Sequence, residues 1–273
     1  MGLALTDTGT SVLIAAGNAH ICQYAYRPTM PASHSPRPYL HRVRTLGGVT
    51  VTDVQPVDHP WHYGISVAIP MLDGSSFWGG PTFTSEQGYV PLDNHGRVEH
   101  EEWLEQSVQL ASATLRHRLA WFGHHGERIL DEDRTLVARV GADAWTLELR
   151  VRLRNRTLRS LTIDSPATAG RPGGGYGGVF VRAAPEFRGG DVIDDDGREG
   201  DEAFGQRAKA LTICSKDATI TMTADEFARE QWFVRRDEYP GICAALAFDQ
   251  PLAVPVGATL SRAYRIRIAD VAA

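Results

Sequence analysis

The amino-acid sequence predicts an all-β fold, a large antiparallel β-sandwich, on the basis of three observations. Runs of alternating apolar and polar residues, rich in Val, Ile, Thr and aromatic residues, recur along the whole chain. Glycine and proline, with 27 and 15 residues, separate these runs. The runs number about a dozen and lack the spacing of β-α-β units, which indicates two stacked antiparallel sheets.

The segment Trp145–Asn155 shows the alternation most clearly. Its charged residues alternate with an apolar set, which consists of Leu147, Leu149, Val151 and Leu153. Because successive side chains of a strand point to opposite faces, one face is predicted to lie in a core and the other in water. A helical turn or two is expected only near Asp225–Glu230. No linker or internal repeat interrupts the chain, so we expect a single sandwich domain over residues 1–273.

Composition narrows the classes of function. Hydrophobic residues make up 42% of the 273 residues and charged residues 22%, which is ordinary for a globular protein. The net charge of −5 argues against binding to nucleic acid or to an anionic membrane surface. No apolar run approaches the roughly 20 residues of a membrane helix. We therefore expect a small-molecule partner, no nucleic-acid or membrane partner, and a homodimer as the assembly to test.

Cysteine usage and the first residues predict the compartment. Cys22, Cys214 and Cys243 are scattered, odd in number and flanked by apolar or small residues, so buried thiols are expected rather than disulfides or metal ligands. The first twenty residues lack the basic region and the long apolar region of a signal peptide. Both features predict a cytoplasmic protein in a reducing environment.

Titratable residues concentrate between Arg37 and His100. Six of the ten histidines fall between His34 and His100. Histidine changes charge near neutral pH, so this clustering favours acid/base chemistry or metal ligation over an ordinary solvated surface. The candidates for the chemical step are Asp53, Asp58, His59, His62 and His100. Next to these residues, His41, His95 and Trp78 are expected to contact a ligand.

The pair His59 and His62 has two interpretations. On a strand, side chains three residues apart point to opposite faces, whereas on a tight turn after Pro60 they converge. A convergent pair with Asp58 or His95 would suit a first-row metal, and the plainer alternative is hydrogen bonding to carbonyl groups in a polar loop. Neither HxxxH nor HExxH is present, so acid/base chemistry is favoured, with no metal and no other cofactor predicted.

A glycine-rich segment runs from Gly170 to Arg182, with six glycines in thirteen residues. It matches neither the P-loop pattern nor GxGxxG before a helix, so a tight turn is favoured over a phosphate cradle. The residues Val179–Arg182 that follow predict a strand that delivers Arg182 to one face, where it is expected to contact the substrate.

Aromatic residues offer platforms for a sugar ring, although buried aromatic residues are the commoner case in β cores. Trp61, Trp78 and Trp232 are the candidates for such stacking. The stretch QWFVRR at 231–236, followed by Tyr239, combines aromatic and basic residues and is expected to line the same cleft.

Several long phrases of the sequence resemble one known family. The phrases are PRPYLHRVRTLGG, VTDVQPVDHPWHYG, FWGGPTF, GYVPLDNHGRVEH, SPATAGRPGGGYGGVFVR and WFVRRDEYPG. They resemble the family called PmoA-like or DUF6807, which is common in actinobacteria, from about Tyr24 to Asp270. Relatives often read LHPVRT and DHRWHHG, where this chain has Arg42 and Tyr63. Val181 stands where relatives often have Trp, which removes an aromatic side chain there.

The resemblance implies a galactose-mutarotase-type super-sandwich and a carbohydrate setting. Sites of that type pair a histidine acid with a carboxylate base across a sheet. The likeness implies His59 or His62 as the acid, with Asp53, Asp58 or Glu132 as the base. Glu132 is also a candidate for contact with the substrate. Arg37 would then hold an anion or an oxygen of the substrate.

Three functions remain open from the sequence. The favoured one is an enzyme that acts on a sugar or an oxidised glycoside by epimerisation, β-elimination or hydrolysis, with acid, base and positive group supplied by the cluster. The second is a non-catalytic carbohydrate-binding accessory protein. The third, which the PmoA-like label suggests, is a metal-dependent oxygenase. In each case the candidates between Arg37 and His100 are expected to converge on one concave surface.

Overall fold

The computed structural model describes residues 2–225 and 230–271 and shows twenty-one strands and three short 3-10 segments there, with no α-helix. The first eight strands are β1 (Leu3–Asp7), β2 (Ser11–Ala16), β3 (Ala19–Ala25), β4 (Tyr39–Leu40), β5 (Ile65–Ala68), β6 (Met71–Leu72), β7 (Thr82–Thr84) and β8 (Gly88–Val90). The long central strands and those after them are β9 (Arg97–Gln109), β10 (Ser112–Phe122), β11 (Arg128–Val140), β12 (Ala144–Asn155), β13 (Leu161–Asp164) and β14 (Gly178–Arg182). The last seven are β15 (Val192–Asp194), β16 (Ala210–Cys214), β17 (Ala218–Ala224), β18 (Gln231–Arg235), β19 (Gly241–Ala245), β20 (Leu252–Val254) and β21 (Thr259–Asp270). The 3-10 segments are Ala32–His34, Pro185–Phe187 and Gly200–Ala203.

The strands form two antiparallel sheets of eight strands each. The first sheet has the order β1-β2-β3-β4-β5-β14-β19-β18, and the second has the order β15-β16-β17-β21-β12-β11-β10-β9. A three-stranded sheet (β20-β13-β6) and a two-stranded sheet (β7-β8) complete the fold. The predicted all-β antiparallel sandwich is confirmed. The helical turn expected near Asp225–Glu230 falls largely on residues 226–229, which lie outside the described residues.

Side-chain alternation explains how the two large sheets pack. On β12 the four predicted apolar residues are at most 4% exposed, while the arginines between them face water. Inward-facing residues of both sheets form one continuous hydrophobic core, which includes Val181 and Trp232 from the first sheet and Leu147 and Ile266 from the second. A strand with one buried face gains about 1.5–3 kcal/mol for each large apolar side chain removed from water.

The first sheet differs from the second because its outer face also carries apolar side chains. A second cluster lies there, formed by Ala68, Trp78, Phe180, Phe233, Tyr239 and Cys243. The strands β5, β14, β18 and β19 are therefore covered on both faces, one by the core and one by the loops that bring in Trp78 and Tyr239. The outer face of the first sheet therefore carries a cluster rich in aromatic side chains.

The three cysteines are free thiols. Cys22 and Cys243 are buried, as expected, whereas Cys214 is half-buried. Burial raises the pKa of the Cys22 and Cys243 thiols, so both remain protonated near neutral pH.

A polar network lies inside the core, against the inner faces of β10 and β11. Glu132 accepts hydrogen bonds from Arg134 and, at 2.7 Å, from the indole of Trp121. Arg134 donates to the hydroxyl of Tyr24, which in turn lies 2.9 Å from Nε2 of His117. Both oxygens of Glu132 are occupied and its side chain is fully buried. The suggestion that Glu132 serves as a base or contacts substrate is therefore corrected, because its carboxylate neutralises a buried arginine.

His100 belongs to the same network and not to the predicted cleft. Its Nδ1 lies 2.9 Å from Nδ1 of His117, and its ring packs against Tyr26 and Trp103. Burial, and then the positive charge of Arg27, lowers the pKa of His100 to about 4. The expectation that His100 joins His59 is wrong, because β9 lies at the edge of the second sheet.

The buried imidazole of His117 predicts a loss of stability in acid. Burial, and then the charges of Arg134 and His100, lowers its pKa to about 2, whereas an unfolded chain titrates near 6.5. Between these values the unfolded state binds the extra proton, so the free energy of unfolding falls as the pH falls below about 6.5. The slope for one such group is about 1.4 kcal/mol per pH unit well inside that window. Urea titrations at pH 7, 6 and 5 measure it.

His117→Gln is the matched variant for this prediction. It keeps a hydrogen-bonding side chain in the core but does not titrate, so its stability should fall less steeply with acid than that of the wild type. Equal slopes for the two proteins would show that His117 binds protons alike in the folded and unfolded states.

Candidate functional site

A cavity of about 260 Å³ opens on the outer face of the first sheet, and we call it the site cavity. Its lining is aromatic, with basic and titratable side chains between the rings. The lining residues are His59, Trp61, His62, Trp78, Gly79, Pro81, Tyr89, Arg171, Tyr176, Phe233, Arg235, Glu238 and Tyr239. Five residues named individually from the sequence therefore line it, namely His59, Trp61, His62, Trp78 and Tyr239, together with two residues of the stretch 231–236.

Strand alternation decides which residues reach the cavity. On β14, Phe180 belongs to the outer cluster, while Val179 and Val181 pack in the core. Arg182, two residues after Phe180, shares its face. The prediction that Val179–Arg182 forms a strand delivering Arg182 to one face is confirmed. The expected contact of Arg182 with substrate is corrected, because its guanidinium lies behind His62 and does not line the cavity.

The same alternation on β18 corrects the sequence prediction for Trp232. Its indole is fully buried in the core and donates a hydrogen bond to the carbonyl oxygen of Ala208 at 2.9 Å. Phe233 and Arg235 face the site cavity instead. The predicted stretch QWFVRR thus contributes to the site, but through the residues one position away from Trp232.

A turn before β5 brings His59 and His62 together. The amide of His59 donates to the carbonyl of Pro56 at 3.1 Å, and the amide of His62 donates to the carbonyl of His59 at 2.9 Å. The two imidazole rings stack with centroids 4.6 Å apart and an interplanar angle of 15°. The turn around Pro60 thus brings the two imidazoles into contact, as expected for a turn, although the rings stack and do not point at one shared position.

The side chain of Asp58 joins this turn to β14. Nη2 of Arg182 lies 3.0 Å from both carboxylate oxygens of Asp58, and Nδ1 of His59 lies 2.8 Å from one of them. Partial burial raises the pKa of Asp58, but the hydrogen bonds from His59 and Arg182 outweigh this effect and hold the pKa below its usual value. The carboxylate is therefore ionised, and it fixes the hydrogen of His59 on Nδ1. The lone pair on Nε2 of His59 is left free to accept a proton.

His62 is a buried, neutral imidazole. Burial, and then the charges of His59, Arg182 and Arg37, holds its pKa well below the usual value. Nη1 of Arg182 lies 3.3 Å from Nδ1 of His62, and because a guanidinium only donates, Nδ1 accepts. The hydrogen of His62 then sits on Nε2. That atom is buried and has no partner among the described residues. It is a hydrogen-bond donor that no described residue satisfies.

Arg37 lies beneath the site cavity and donates a hydrogen bond to the backbone of Trp61, one of the lining residues. Its guanidinium donates only to uncharged acceptors, which are the carbonyl oxygens of His34 (2.8 Å), Ser35 (3.0 Å) and Trp61 (3.1 Å) and the hydroxyl of Ser66 (3.4 Å). Burial lowers the pKa of Arg37 to about 10, and its side chain is 1% exposed. The implied role as a clamp on substrate is corrected, because Arg37 does not line the cavity and its donors contact backbone carbonyls and the Ser66 hydroxyl.

The indole of Trp61 rests on a glycine pair. Gly80 has a φ of +70°, and a Cβ there would lie 2.4 Å from two ring atoms of Trp61, so only glycine fits against this ring. Nε2 of His95 donates to the carbonyl of Gly80 at 2.9 Å. His95 therefore supports the loop below Trp61 and does not itself line the cavity.

His41 and Asp53 lie outside the site cavity, toward β4. Nδ1 of His41 lies 3.0 Å from the hydroxyl of Thr52, and a carboxylate oxygen of Asp53 accepts from the amide of Val54 at 2.8 Å. Burial, and then the charge of Arg42, lowers the pKa of His41 to about 4, although Asp53 opposes this. The prediction of one surface for all candidates therefore holds for His59 and His62 but not for His41 or Asp53.

A second cavity, of about 290 Å³, adjoins the first and is mainly apolar. The two cavities share Trp78 and Tyr176, whose ring centroids are 4.5 Å apart, together with Gly79 and Pro81. Asp164 is its charged residue, and it accepts a hydrogen bond from Thr168 at 2.9 Å.

Sequence reasoning missed Arg171 and Tyr176. Both belong to the glycine-rich segment, which was interpreted through its glycines as a turn. One sequence feature does indicate them: a basic and an aromatic residue lie among small residues, a composition typical of loops that border a ligand. Glu238 was also missed and is an exposed residue at the rim.

No group of three or more His, Cys, Asp or Glu side chains in the described ranges 2–225 and 230–271 is arranged to bind a metal ion. His59 and His62 stack face to face, so their rings are not arranged around a common point. That no transition metal binds tightly stays a prediction.

Gly80→Ala is expected to displace the Trp61 indole and destabilise the protein. The added Cβ overlaps a rigid ring, and overpacking of this kind costs about 1–3 kcal/mol. Thermal unfolding and near-ultraviolet circular dichroism measure the effect. Gly88→Ala is the matched control, because Gly88 has a φ of +73° and nothing within 4 Å of an added Cβ. Equal losses in both variants would assign the effect to backbone strain and not to Trp61.

The fold and this site define the class of the protein: an antiparallel β-sandwich with an aromatic cavity, lined by histidine and arginine, on the outer face of one sheet. The chain belongs to a family of unknown function, DUF6807, whose model matches residues 11–273. The resemblance noted in the sequence is confirmed for this family, whereas nothing in the match supports the PmoA-like label.

No curated protein matches the sequence. Among solved structures, a putative aldose 1-epimerase from Escherichia coli K12 is similar, with 11% sequence identity, a TM-score of 0.35 and coverage of 98% of this chain and 99% of that chain. Among the described residues, no helix has the length and apolar character needed to cross a membrane.

Proposed function

We propose that the protein is an acid/base enzyme that acts on a small sugar-like molecule bound in the site cavity. The observation that carries the proposal is the state of His59, whose Nδ1 donates to Asp58 while the ring lines the cavity. An imidazole held in this tautomer presents Nε2 as a proton acceptor. The reaction classes it suits are epimerisation and β-elimination next to a carbonyl group, and hydrolysis.

Each group near His59 has a separate task in this chemistry. Asp58 orients the imidazole of His59 and stabilises the positive charge that the ring gains when it takes a proton. Arg182 in turn fixes Asp58 by contacts to both carboxylate oxygens. His62 stays neutral and offers its Nε2 hydrogen to an oxygen of the substrate on which negative charge develops.

The rings around the cavity support a sugar-like ligand. Trp61, Trp78, Phe233 and Tyr239 present aromatic surface next to polar groups, and sugar rings combine C–H faces that stack on aromatic rings with hydroxyl groups that need hydrogen bonds. The volume of about 260 Å³ lies near the lower end for ligand pockets, which suits a single small ring.

Deuterium exchange tests the chemistry directly. In D₂O, wild-type protein with a panel of keto- and aldo-sugars and sugar acids is expected to introduce deuterium at one carbon of its substrate, as seen by NMR. His59→Gln removes the proton acceptor and should slow this exchange by about 100-fold or more, the usual contribution of a general base. His20→Gln, which changes an exposed histidine on β3, is the matched control and should exchange at the wild-type rate.

The same spectra distinguish an enzyme from a binding protein. Saturation-transfer signals from a bound sugar without exchange or turnover in wild-type protein would contradict the catalytic proposal and favour a non-catalytic carbohydrate-binding protein. Unchanged exchange in His59→Gln would show that another group takes the proton.

Asp58→Asn is expected to lower kcat by about 100-fold with a small change in KM. An amide at this position can accept from Arg182 but then turns its NH₂ group toward His59, which favours the tautomer without a free lone pair on Nε2. Steady-state kinetics on the substrate found by exchange measures both constants. Asp53→Asn tests the other candidate base in the same assay and should keep its activity, because Asp53 does not line the cavity. A large effect of Asp53→Asn alone would contradict the assignment.

A further inference from the structure

Four guanidinium groups surround the site cavity, and two carboxylates accompany them. Arg171 and Arg235 line the cavity, while Arg37 and Arg182 lie directly behind Trp61 and His62. The carboxylates are those of Asp58 and Glu238, the latter with 76% of its side chain exposed. The surroundings of the cavity are thus positive by two charges when the histidines are neutral, although the chain as a whole carries −5.

Arg171 contributes a cation without a counter-ion. None of the ion pairs that the described residues form within 4 Å includes its guanidinium, whose Cζ lies 5.3 Å from the ring centroid of Tyr89. The side chain is half-buried at the cavity wall. A planar guanidinium in this position is free to bind a carboxylate or a phosphate through two parallel hydrogen bonds.

Arg235 is held in place by the glycine-rich segment that also contains Arg171. Its Nη2 donates to the carbonyl of Gly173 at 2.9 Å and its Nη1 to the carbonyl of Val234 at 3.0 Å, while the guanidinium lies 4.4 Å from the ring centroid of Phe233. Its ion pair with the exposed Glu238 is long, at 3.6 Å, and a pair of this kind contributes little. The guanidinium is therefore oriented mainly by neutral groups. No close, buried carboxylate neutralises its positive charge, so an anionic ligand can do so.

Arg37 adds a buried positive charge that forms no ion pair with a carboxylate among the described residues. Its acceptors are all uncharged, and its charge is felt at His62, on the cavity wall. In the low-dielectric interior a buried cation without an anion is costly, and a negative ligand in the adjacent cavity reduces that cost.

From this excess of positive charge we infer that the substrate is an anionic sugar, one that carries a carboxylate or a phosphate group. The anionic group binds to Arg171 and Arg235, and the ring lies among Trp61, Trp78 and Tyr239. The inference rests on the proposed function, since it names the class of substrate for the same site.

Equilibrium binding tests the inference, followed by tryptophan fluorescence or calorimetry at 50 mM salt. The probes are D-glucose, D-glucuronate and D-glucose 6-phosphate, which share a ring and differ in charge. At least one anionic probe is expected to bind ten times more tightly than glucose, and its affinity should fall with added salt. Whether glucuronate or the phosphate binds more tightly distinguishes the two sources of negative charge.

Arg171→Gln should lower the affinity for the anionic probe at least tenfold and narrow its advantage over glucose. Arg116→Gln is the matched control, because it removes the same charge from an exposed position on β10 and should leave both affinities unchanged. Equal affinity for neutral and anionic probes, or equal effects of the two arginine variants, would overturn the inference alone. No binding of any of the three sugars would instead count against the sugar-like substrate and thus against the proposed function.

Discussion

The candidate site depends on the buried guanidinium of Arg182. This group holds Asp58 through contacts of 3.0 Å to both oxygens and donates to Nδ1 of His62. Its position on β14, a strand covered on both faces, keeps it from moving with the loops. Together with His59 it keeps Asp58 ionised, and by itself it fixes the tautomer of His62. Through Asp58 it also fixes the tautomer of His59, so the protonation pattern of the cavity follows from a rigid strand.

Two other buried arginines, Arg134 and Arg37, differ in whether a carboxylate neutralises their charge. Arg134, in the core, is neutralised by Glu132 and hydrogen-bonded to Tyr24, and its pKa is raised although burial opposes this. Arg37, beneath the cavity, has carbonyl and hydroxyl acceptors only, and its pKa is lowered to about 10. The first arrangement stabilises a packed core. The second leaves a positive potential where the outer face of the sheet opens to a ligand.

Histidines are divided in the same way. His117 and His100 lie in a closed hydrogen-bonded network and have pKa values of about 2 and 4, so they remain neutral and contribute to stability near pH 7. His59 and His62 lie at a cavity, one with a free lone pair and the other with a free hydrogen. Histidines that look alike in the sequence are therefore of two kinds, those in the core network and those at the cavity. Only the residues that surround them in the folded structure distinguish the two.

By itself the sequence determined the all-β class, the strand Val179–Arg182 and the turn that brings His59 and His62 together, because side-chain alternation and turn chemistry act between near neighbours in the chain. The tertiary structure decided which face of each strand reaches the cavity. Both faces of the first sheet are apolar, so the adjacent rings of Trp232 and Phe233 look alike in sequence while one lies in the core and the other in the site. Glu132 and His100 lie outside the cavity and Arg171 lines it because of contacts between residues far apart in the chain, which local sequence patterns do not determine.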